Sequence, residues 1–158
     1  MKTFARLSAV LFVAVAGSAS AAGDPGGSSV APPKDPVLEK VAEATRVHDW
    51  TAAQAVLRDA VARQPRNADY HNLYAYTVRK GPNPDMSLVF KEYNAALEID
   101  PKHRQAHEYL GEAYLMVGNV AKAREHLAQL DKLCFFPCSE EADLKKAIAD
   151  YETKQAAK

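Results

Sequence analysis

The feature that most constrains this chain is a regular alternation of apolar segments with short, turn-forming breaks. After residue 35, apolar side chains recur three or four positions apart, a spacing that indicates helices with one buried face. The predicted helical segments are 36–48, 50–64, 67–80, 85–99, 103–117, 119–133 and 139–156. No segment shows the strict alternation that is typical of a strand. The sequence therefore predicts an all-α fold in which short turns make consecutive helices antiparallel.

Turn and cap residues predict where the helices begin and end. The breaks contain Pro65, Gly81–Pro84, Pro101, Gly118–Asn119 and Pro137. Asp35 can cap a first helix that starts at Pro36, where proline's missing N–H does no harm. For the second helix, Asp49 and Thr51 compete as the N-cap, and Ser139 is the predicted N-cap of the last helix.

An internal repeat organises these helices into pairs. Pro65 and Pro101 close two similar segments, LRDAVARQP and YNAALEIDP, 36 residues apart. A third unit carries the clearest motif, which consists of Leu110-Gly111-x-x-Tyr114, Gly118-Asn119 and Ala123-x-x-x-Leu127. This pattern resembles the tetratricopeptide repeat, a helical hairpin of about 34 residues.

The resemblance covers residues 36–135 and implies a short α-solenoid of three hairpins. The hairpins would span about 36–66, 67–102 and 103–135, and a C-terminal capping helix would lie within 136–158. The small residues of the pattern let neighbouring helices approach closely; they are Ala53, Ala60, Ala96, Gly111 and Ala123.

The N-terminus predicts export. A basic start, the apolar run 7–17 and the small residues 18–22 form the three-part pattern of a secretory signal peptide, which we assign to residues 1–21. The run is about half of the ~20 apolar residues that span a bilayer, so we expect no stable membrane anchor. Residues 22–35 are rich in Gly, Pro and Ser, as in a flexible leader. We expect a periplasmic protein, if the source is Gram-negative, or a secreted one.

The charge balance gives no sign of a nucleic-acid or anionic-lipid partner. The chain has 20 basic and 20 acidic residues, and removal of residues 1–21 takes away Lys2 and Arg6, which leaves 18 against 20. A near-neutral domain lacks the basic surface that binding to polyanions requires. We therefore expect no nucleic-acid partner.

The only two cysteines, Cys134 and Cys138, lie four residues apart around the predicted start of the last helix. In an oxidising compartment this spacing favours a structural disulfide that fixes the turn. Two alternatives stay open: a thiol or metal carrier that uses both cysteines, and a pair of free thiols.

Neither an enzyme nor a cofactor is predicted. His103 and His107 can share one helix face, but His107 occupies a large packing position of the repeat, which favours core packing over metal binding. The chain has no phosphate-binding loop, nucleophile elbow or zinc-protease motif. We expect a non-catalytic protein with no metal site.

The resemblance also implies a concave groove lined by the first helix of each hairpin, where a partner peptide or protein binds. Transferring the family's groove positions gives Asp69, Asn72, Tyr76, Arg79, Gln105, Glu108, Glu112 and Met116. Chaperone-binding members of the family hold a C-terminal carboxylate with a Lys/Asn/Arg clamp. Four residues replace that clamp here, namely Leu38, Ala42, Gln105 and Tyr109. A carboxylate-terminated ligand is therefore not predicted.

These observations favour a protein-binding adaptor or assembly factor of the cell envelope. One alternative is a structural protein that self-associates through its terminal helices, and a second is the thiol or metal carrier based on Cys134 and Cys138.

Overall fold

The computed structural model describes residues 35–157, and all regular structure in this range is helical. The helices are α1 (Pro36–Arg46), α2 (Trp50–Arg63), α3 (Ala68–Lys80), α4 (Met86–Ile99), α5 (Arg104–Met116), α6 (Val120–Leu133) and α7 (Ser139–Ala156). Each predicted segment contains one observed helix, so the all-α prediction is confirmed. The predicted signal peptide, 1–21, and all of the predicted leader except Asp35 lie outside the described residues.

Short polar side chains begin most of the helices. The side chain of the N-cap residue accepts a backbone N–H bond at Asp35, Asp49, Asn67, Asp85, His103 and Asn119. Asp49 rather than Thr51 therefore caps α2. The prediction that Ser139 caps α7 is wrong: Cys138 occupies the cap without a side-chain bond, and the Ser139 hydroxyl lies 3.2 Å from Glu140 Oε2.

The core consists of three hydrophobic clusters, and each joins a helical hairpin to the helix that follows it. The first contains Val41, Leu57, Ala60 and Tyr70; the second contains Ala75, Val78, Val89, Tyr93, Leu110 and Ala113; the third contains Leu115, Ala123, Leu130, Leu144 and Ile148. Tyr74 packs against both the first and second clusters, and Tyr114 against both the second and third. Because each helix is shared in this way, the hairpins stack as in a solenoid.

The contact between α5 and α7 depends on a glycine. A Cβ atom at Gly111 would lie 2.6 Å from Leu144 Cδ2, and Leu144 is fully buried. Glycine in a helix interior destabilises the helix by about 1 kcal/mol relative to alanine. That cost is tolerated at Gly111 because the missing side chain allows α7 to approach α5 closely. The capping helix therefore packs directly over the Leu-Gly motif of the third hairpin.

A buried polar link ties the two helices of the second hairpin. The His71 ring lies 3.0 Å from the Pro65 carbonyl through Nε2 and 2.6 Å from Glu92 Oε2 through Nδ1. Both partners are acceptors when Glu92 is ionised, and the imidazolium form of His71 can donate to both. Both side chains are buried, so this pair is a structural link between α3 and α4.

The third hairpin repeats this link with a different partner. His107 Nε2 lies 3.1 Å from the Pro101 carbonyl, and its Nδ1 lies 3.0 Å from Nδ1 of His126. With a proton on Nε2, the neutral His107 ring accepts a bond from the Nδ1–H of His126. Burial lowers the pKa of His107, and burial together with the neighbouring His107 lowers the pKa of His126 to about 4. The pair is therefore neutral near pH 7.

The glycine contact predicts a strong energetic coupling between α5 and α7. Gly111→Ala should overpack the contact, which destabilises the protein by about 1–3 kcal/mol. The higher helix propensity of alanine offsets ~1 kcal/mol of this loss. Leu144→Ala alone should cost about 2–5 kcal/mol. In the double variant the new methyl group enters the space that Leu144 vacates. Chemical denaturation should therefore give a favourable coupling of about 1–2 kcal/mol, whereas simple additivity would contradict the direct contact.

The histidine pair predicts a loss of stability on acidification. Because the folded-state pKa of His126 lies below the unfolded value of about 6.5, the unfolded chain binds more protons between about pH 6.5 and 4. The contribution of His126 to the free energy of unfolding should therefore decrease as the pH falls through this window, by at most about 1.4 kcal/mol per pH unit. His126→Asn keeps an N–H donor that does not titrate, so the stability of the variant relative to the wild type should rise as the pH falls. His48→Asn, at an exposed turn, is the control; parallel curves for all three proteins would contradict the assignment.

Candidate functional site

The predicted groove residues lie on two neighbouring helices, and we call their shared surface the α3–α5 face. Asp69, Asn72, Tyr76 and Arg79 lie on α3, and Gln105, Glu108, Glu112 and Met116 lie on α5. Two direct contacts join the helices. Asn72 Nδ2 donates to Gln105 Oε1 at 2.9 Å, and Arg79 Nη2 lies 2.8 Å from Glu112 Oε2.

Two tyrosine rings form the exposed centre of this face. The ring centroids of Tyr76 and Tyr109 are 4.9 Å apart, and both side chains are half-buried. Trp50, at the start of α2, extends the row, with its ring 6.2 Å from that of Tyr76. We call these three rings the aromatic platform. Aromatic side chains of this kind contribute much of the binding energy at protein interfaces.

Arg79 supports the platform from the interior. Its guanidinium carbon lies 5.8 Å from the Tyr76 ring centre and 5.4 Å from that of Tyr109, within the range of cation–π attraction. Its Nε donates to the buried Tyr93 hydroxyl at 3.2 Å, in addition to the ion pair with Glu112. Arg79 is only 8% exposed, so its role is to hold the two rings in place rather than to offer a free charge.

Glu108 is the most strongly perturbed acid on the α3–α5 face. Only 8% of the residue is exposed. Burial, followed by the nearby charges of Glu112, Asp143 and Glu140, raises the pKa of Glu108 to about 7, against a smaller opposing effect of Arg79. The carboxyl group is therefore close to half-protonated at neutral pH.

Two of the predicted groove residues lie apart from this centre. Asp69 is exposed and lies 3.0 Å from Nε2 of His103, at the first turn of α3. Met116 is 52% exposed at the last turn of α5, where it borders a surface depression together with Tyr151 and Lys154 of α7. The structure thus brings together Asn72, Tyr76, Arg79, Gln105, Glu108 and Glu112, but not Asp69 or Met116.

Sequence reasoning missed two members of the aromatic platform. Tyr109 was considered only as a substitution at a clamp position, although it lies four residues after Gln105 and so shares its helix face. Trp50 belongs to a second helix, which the groove positions of the repeat do not include. Its signal was its position as the first residue of α2, directly after the cap Asp49.

The histidines do not gather into a metal site. Nε2 of His103 contacts Asp69 and its Nδ1 accepts the Ala106 N–H bond, whereas His107 bonds Pro101 and His126. In the described part of the chain, the group with metal-ligand proximity is Cys134, Cys138 and Glu141. A cysteine ligates metal as the thiolate, so this group could serve only after reduction of the disulfide described next.

The turn between α6 and α7 is closed by a disulfide between Cys134 and Cys138, whose Cα atoms are 5.8 Å apart. The bridge presents Phe135 and Phe136 at its outer edge, where they are 92% and 76% exposed. Two adjacent phenyl rings with this exposure form a small apolar patch on the surface. The turn lies at the C-terminal end of the stack and shares no residue with the α3–α5 face.

No helix in the range 35–157 combines the length and apolar character that crossing a membrane would require.

Comparisons with known proteins agree with the helical pairing. The sequence model of the tetratricopeptide-repeat family matches residues 40–85 and 91–134, more than half of the chain. The structure is similar to the TPR2B domain of yeast Sti1, solved as a complex with pHsp70, with a TM-score of 0.66 and 18% identity over 75% of this chain and 94% of that one. A comparison with curated protein sequences finds no match.

The likeness to the yeast domain concerns the fold alone, because the identity is low. The family match rests on the sequence itself, and the matched residues contain all of α2, α3, α5 and α6. These helices include those that carry the α3–α5 face and the aromatic platform. The chain therefore belongs to the tetratricopeptide-repeat family.

Proposed function

We propose that this protein is a non-catalytic adaptor or assembly factor of the cell envelope that binds a segment of a partner protein on its α3–α5 face. The observation that carries the proposal is the aromatic platform, in which the ring centroids of Tyr76 and Tyr109 are 4.9 Å apart and both rings lie against the buried Arg79. Proteins of the tetratricopeptide-repeat family mediate interactions with other proteins, which supports a binding role rather than a catalytic one.

The platform is suited to binding because its side chains are already held in place before a partner arrives. Arg79 is fixed by Tyr93 and Glu112, and its guanidinium group lies against both exposed rings. Rings held in this way lose little rotamer freedom on binding, so more of the contact energy remains as affinity. The half-buried Trp50 widens the apolar surface toward the first hairpin.

The cellular location is part of the proposal. The signal-like pattern of residues 1–21 supports export. The Cys134–Cys138 bridge also supports an oxidising compartment, because such disulfides are rare in the cytosol. The periplasm or the exterior of the cell satisfies both observations.

The complex of the yeast domain with pHsp70 supports the use of this fold for binding a protein ligand. The proposed partner of this chain is of a different chemical class, however. Gln105 and Tyr109 occupy positions where chaperone-binding relatives carry a cationic clamp, and Arg79 is already paired with Glu112. Among the described residues of this centre, an anionic C-terminus would find the only guanidinium group already paired.

Replacement of a platform ring should abolish partner capture. Tagged full-length protein recovered from the native envelope fraction should retain a specific partner, and Tyr76→Ala should reduce its retention at least about tenfold, or ~1.4 kcal/mol, as at an interface hot spot. The matched control removes two aromatic rings elsewhere: Phe135→Ala with Phe136→Ala should retain the partner. Circular dichroism checks that both variants are helical. Equal capture by all three proteins would contradict the site.

Self-association is a second candidate, favoured specifically by the exposed Phe135 and Phe136. On this hypothesis the phenyl rings of one copy pack against those of another, and sedimentation velocity should show a mass that rises with protein concentration. The double Phe→Ala variant should stay monomeric over the same range, while Tyr76→Ala should behave as the wild type. A concentration-independent monomeric mass for the wild type would exclude this candidate.

A further inference from the structure

The α3–α5 face contains a buried acid that the aromatic platform does not use. Only 8% of Glu108 is exposed, yet it forms no hydrogen bond or ion pair with any other residue in the range 35–157. Its neighbours on the same side are engaged elsewhere, since Glu112 pairs with Arg79 and Glu140 lies 3.7 Å from Arg104. A carboxyl group in this position lacks the donors that usually accompany burial.

A second acceptor without a donor lies one helix away. Asn72 is fully buried, and its Nδ2 donates to Gln105, but its Oδ1 has no hydrogen-bond partner among the described groups. Gln105 precedes Glu108 by three residues and therefore lies on the same side of α5. We call this short stretch the Glu108 seat (Asn72, Gln105 and Glu108). Both Asn72 and Glu108 have unused acceptor capacity, but the Asn72 oxygen is enclosed, so Glu108 is the acceptor that a ligand can reach.

The surroundings of the Glu108 seat carry a negative charge. The charged groups facing it are Glu112 from its own helix, Arg79 from α3, and Glu140 and Asp143 from α7, with Arg104 next to Glu140. With Glu108 ionised, four acids stand against two arginines, a net charge of −2. Asp143 is exposed at the edge of this group, so the negative potential extends to the surface.

We propose that the Glu108 seat receives a lysine or arginine side chain of the partner, whose neighbouring residues pack on the aromatic platform. A cationic nitrogen supplies both features that the seat lacks, namely hydrogen-bond donors and a compensating positive charge. The inference rests on the proposed function, because it assigns the chemistry of a partner that binds the same face.

Other occupants fit less well. An anion would meet a net negative charge, and both local arginines already have acidic partners. A metal ion needs several ligand atoms close together, but in the described part of the chain such a cluster forms at Cys134 and not around Glu108. An uncharged apolar side chain would leave the buried carboxyl group without a partner.

Binding at the Glu108 seat should be linked to pH. Burial and the adjacent acids raise the pKa of Glu108 to about 7 in the free protein. A bound cation favours the ionised carboxylate, so it lowers this pKa and binding releases a proton. Affinity for a basic segment should therefore rise between about pH 6 and pH 8.

The test uses acetylated, amidated peptide pools that are randomised except at one fixed position, occupied by lysine, arginine, norleucine or glutamate. Norleucine keeps the apolar stem of lysine without its charge. The full-length wild type is compared with Glu108→Gln and with Glu98→Gln, a matched charge change on the exposed surface of α4. Tyr76→Ala is the fourth protein, because it reports on the platform separately.

The wild type should retain the lysine and arginine pools at least about tenfold over norleucine, with a ratio that increases from pH 6 to pH 8. Glu98→Gln should behave identically, whereas Glu108→Gln should lose both the preference and its pH dependence. Equal retention of all pools by the wild type, or unchanged selectivity in Glu108→Gln, would overturn the inference. If the wild type retains all pools equally and Tyr76→Ala retains none of them, the proposed binding face stands and only the basic partner is wrong. Failure of every pool to bind the wild type would count against both.

Discussion

The close packing of neighbouring helices through small residues is the constraint on which the rest of this structure depends. Ala53, Ala60, Ala96 and Ala123 are at most 5% exposed, and Gly111 leaves no room for a Cβ atom beside Leu144. Because the backbones approach so closely, each helix can contact both its hairpin partner and the next hairpin. Larger side chains such as Tyr74 and Tyr114 then span two clusters and make the stack continuous. The α3–α5 face exists only because this stacking places the first helices of two hairpins side by side.

That face combines structural and functional roles in the same side chains. Arg79 and Asn72 are groove residues by their position in the repeat, yet both are buried and bonded to a neighbouring helix. A buried arginine requires partners to offset its desolvation, and Tyr93, Glu112 and the two ring faces provide them. This requirement fixes the positions of Tyr76 and Tyr109. The rigidity of the exposed rings is thus a consequence of satisfying a buried charge.

The helices and their limits could be predicted because they depend on local signals, namely apolar spacing, prolines and capping side chains. The exceptions concern two helix starts. Thr51 competes for the N-cap of α2 in the sequence, but the cap goes to Asp49, and Gln54 one turn further on donates to the distant Thr77 carbonyl at 2.9 Å. Ser139 has the chemistry of a cap, but the disulfide ends at Cys138 and helix α7 begins one residue earlier than a serine cap requires. The burial of Arg79 and Glu108 was equally hidden, because repeat positions specify the direction of a side chain but not what covers it.

The hairpins share one architecture but differ in the side chains that complete their buried polar links. His71 and His107 bind the carbonyls of equivalent prolines, yet their second partners are Glu92 in one hairpin and His126 in the next. The scaffold thus tolerates a change of the second partner from a carboxyl group to an imidazole, because in both hairpins the two ring nitrogens of this histidine retain partners. Glu108 is different, because it is only 8% exposed and no cation among residues 35–157 lies within ion-pair distance of it. In the proposed complex, a positive charge that arrives with the partner would offset this desolvation cost. The electrostatics of α5 and α7, rather than the repeat pattern itself, would then determine which class of protein segment the face holds.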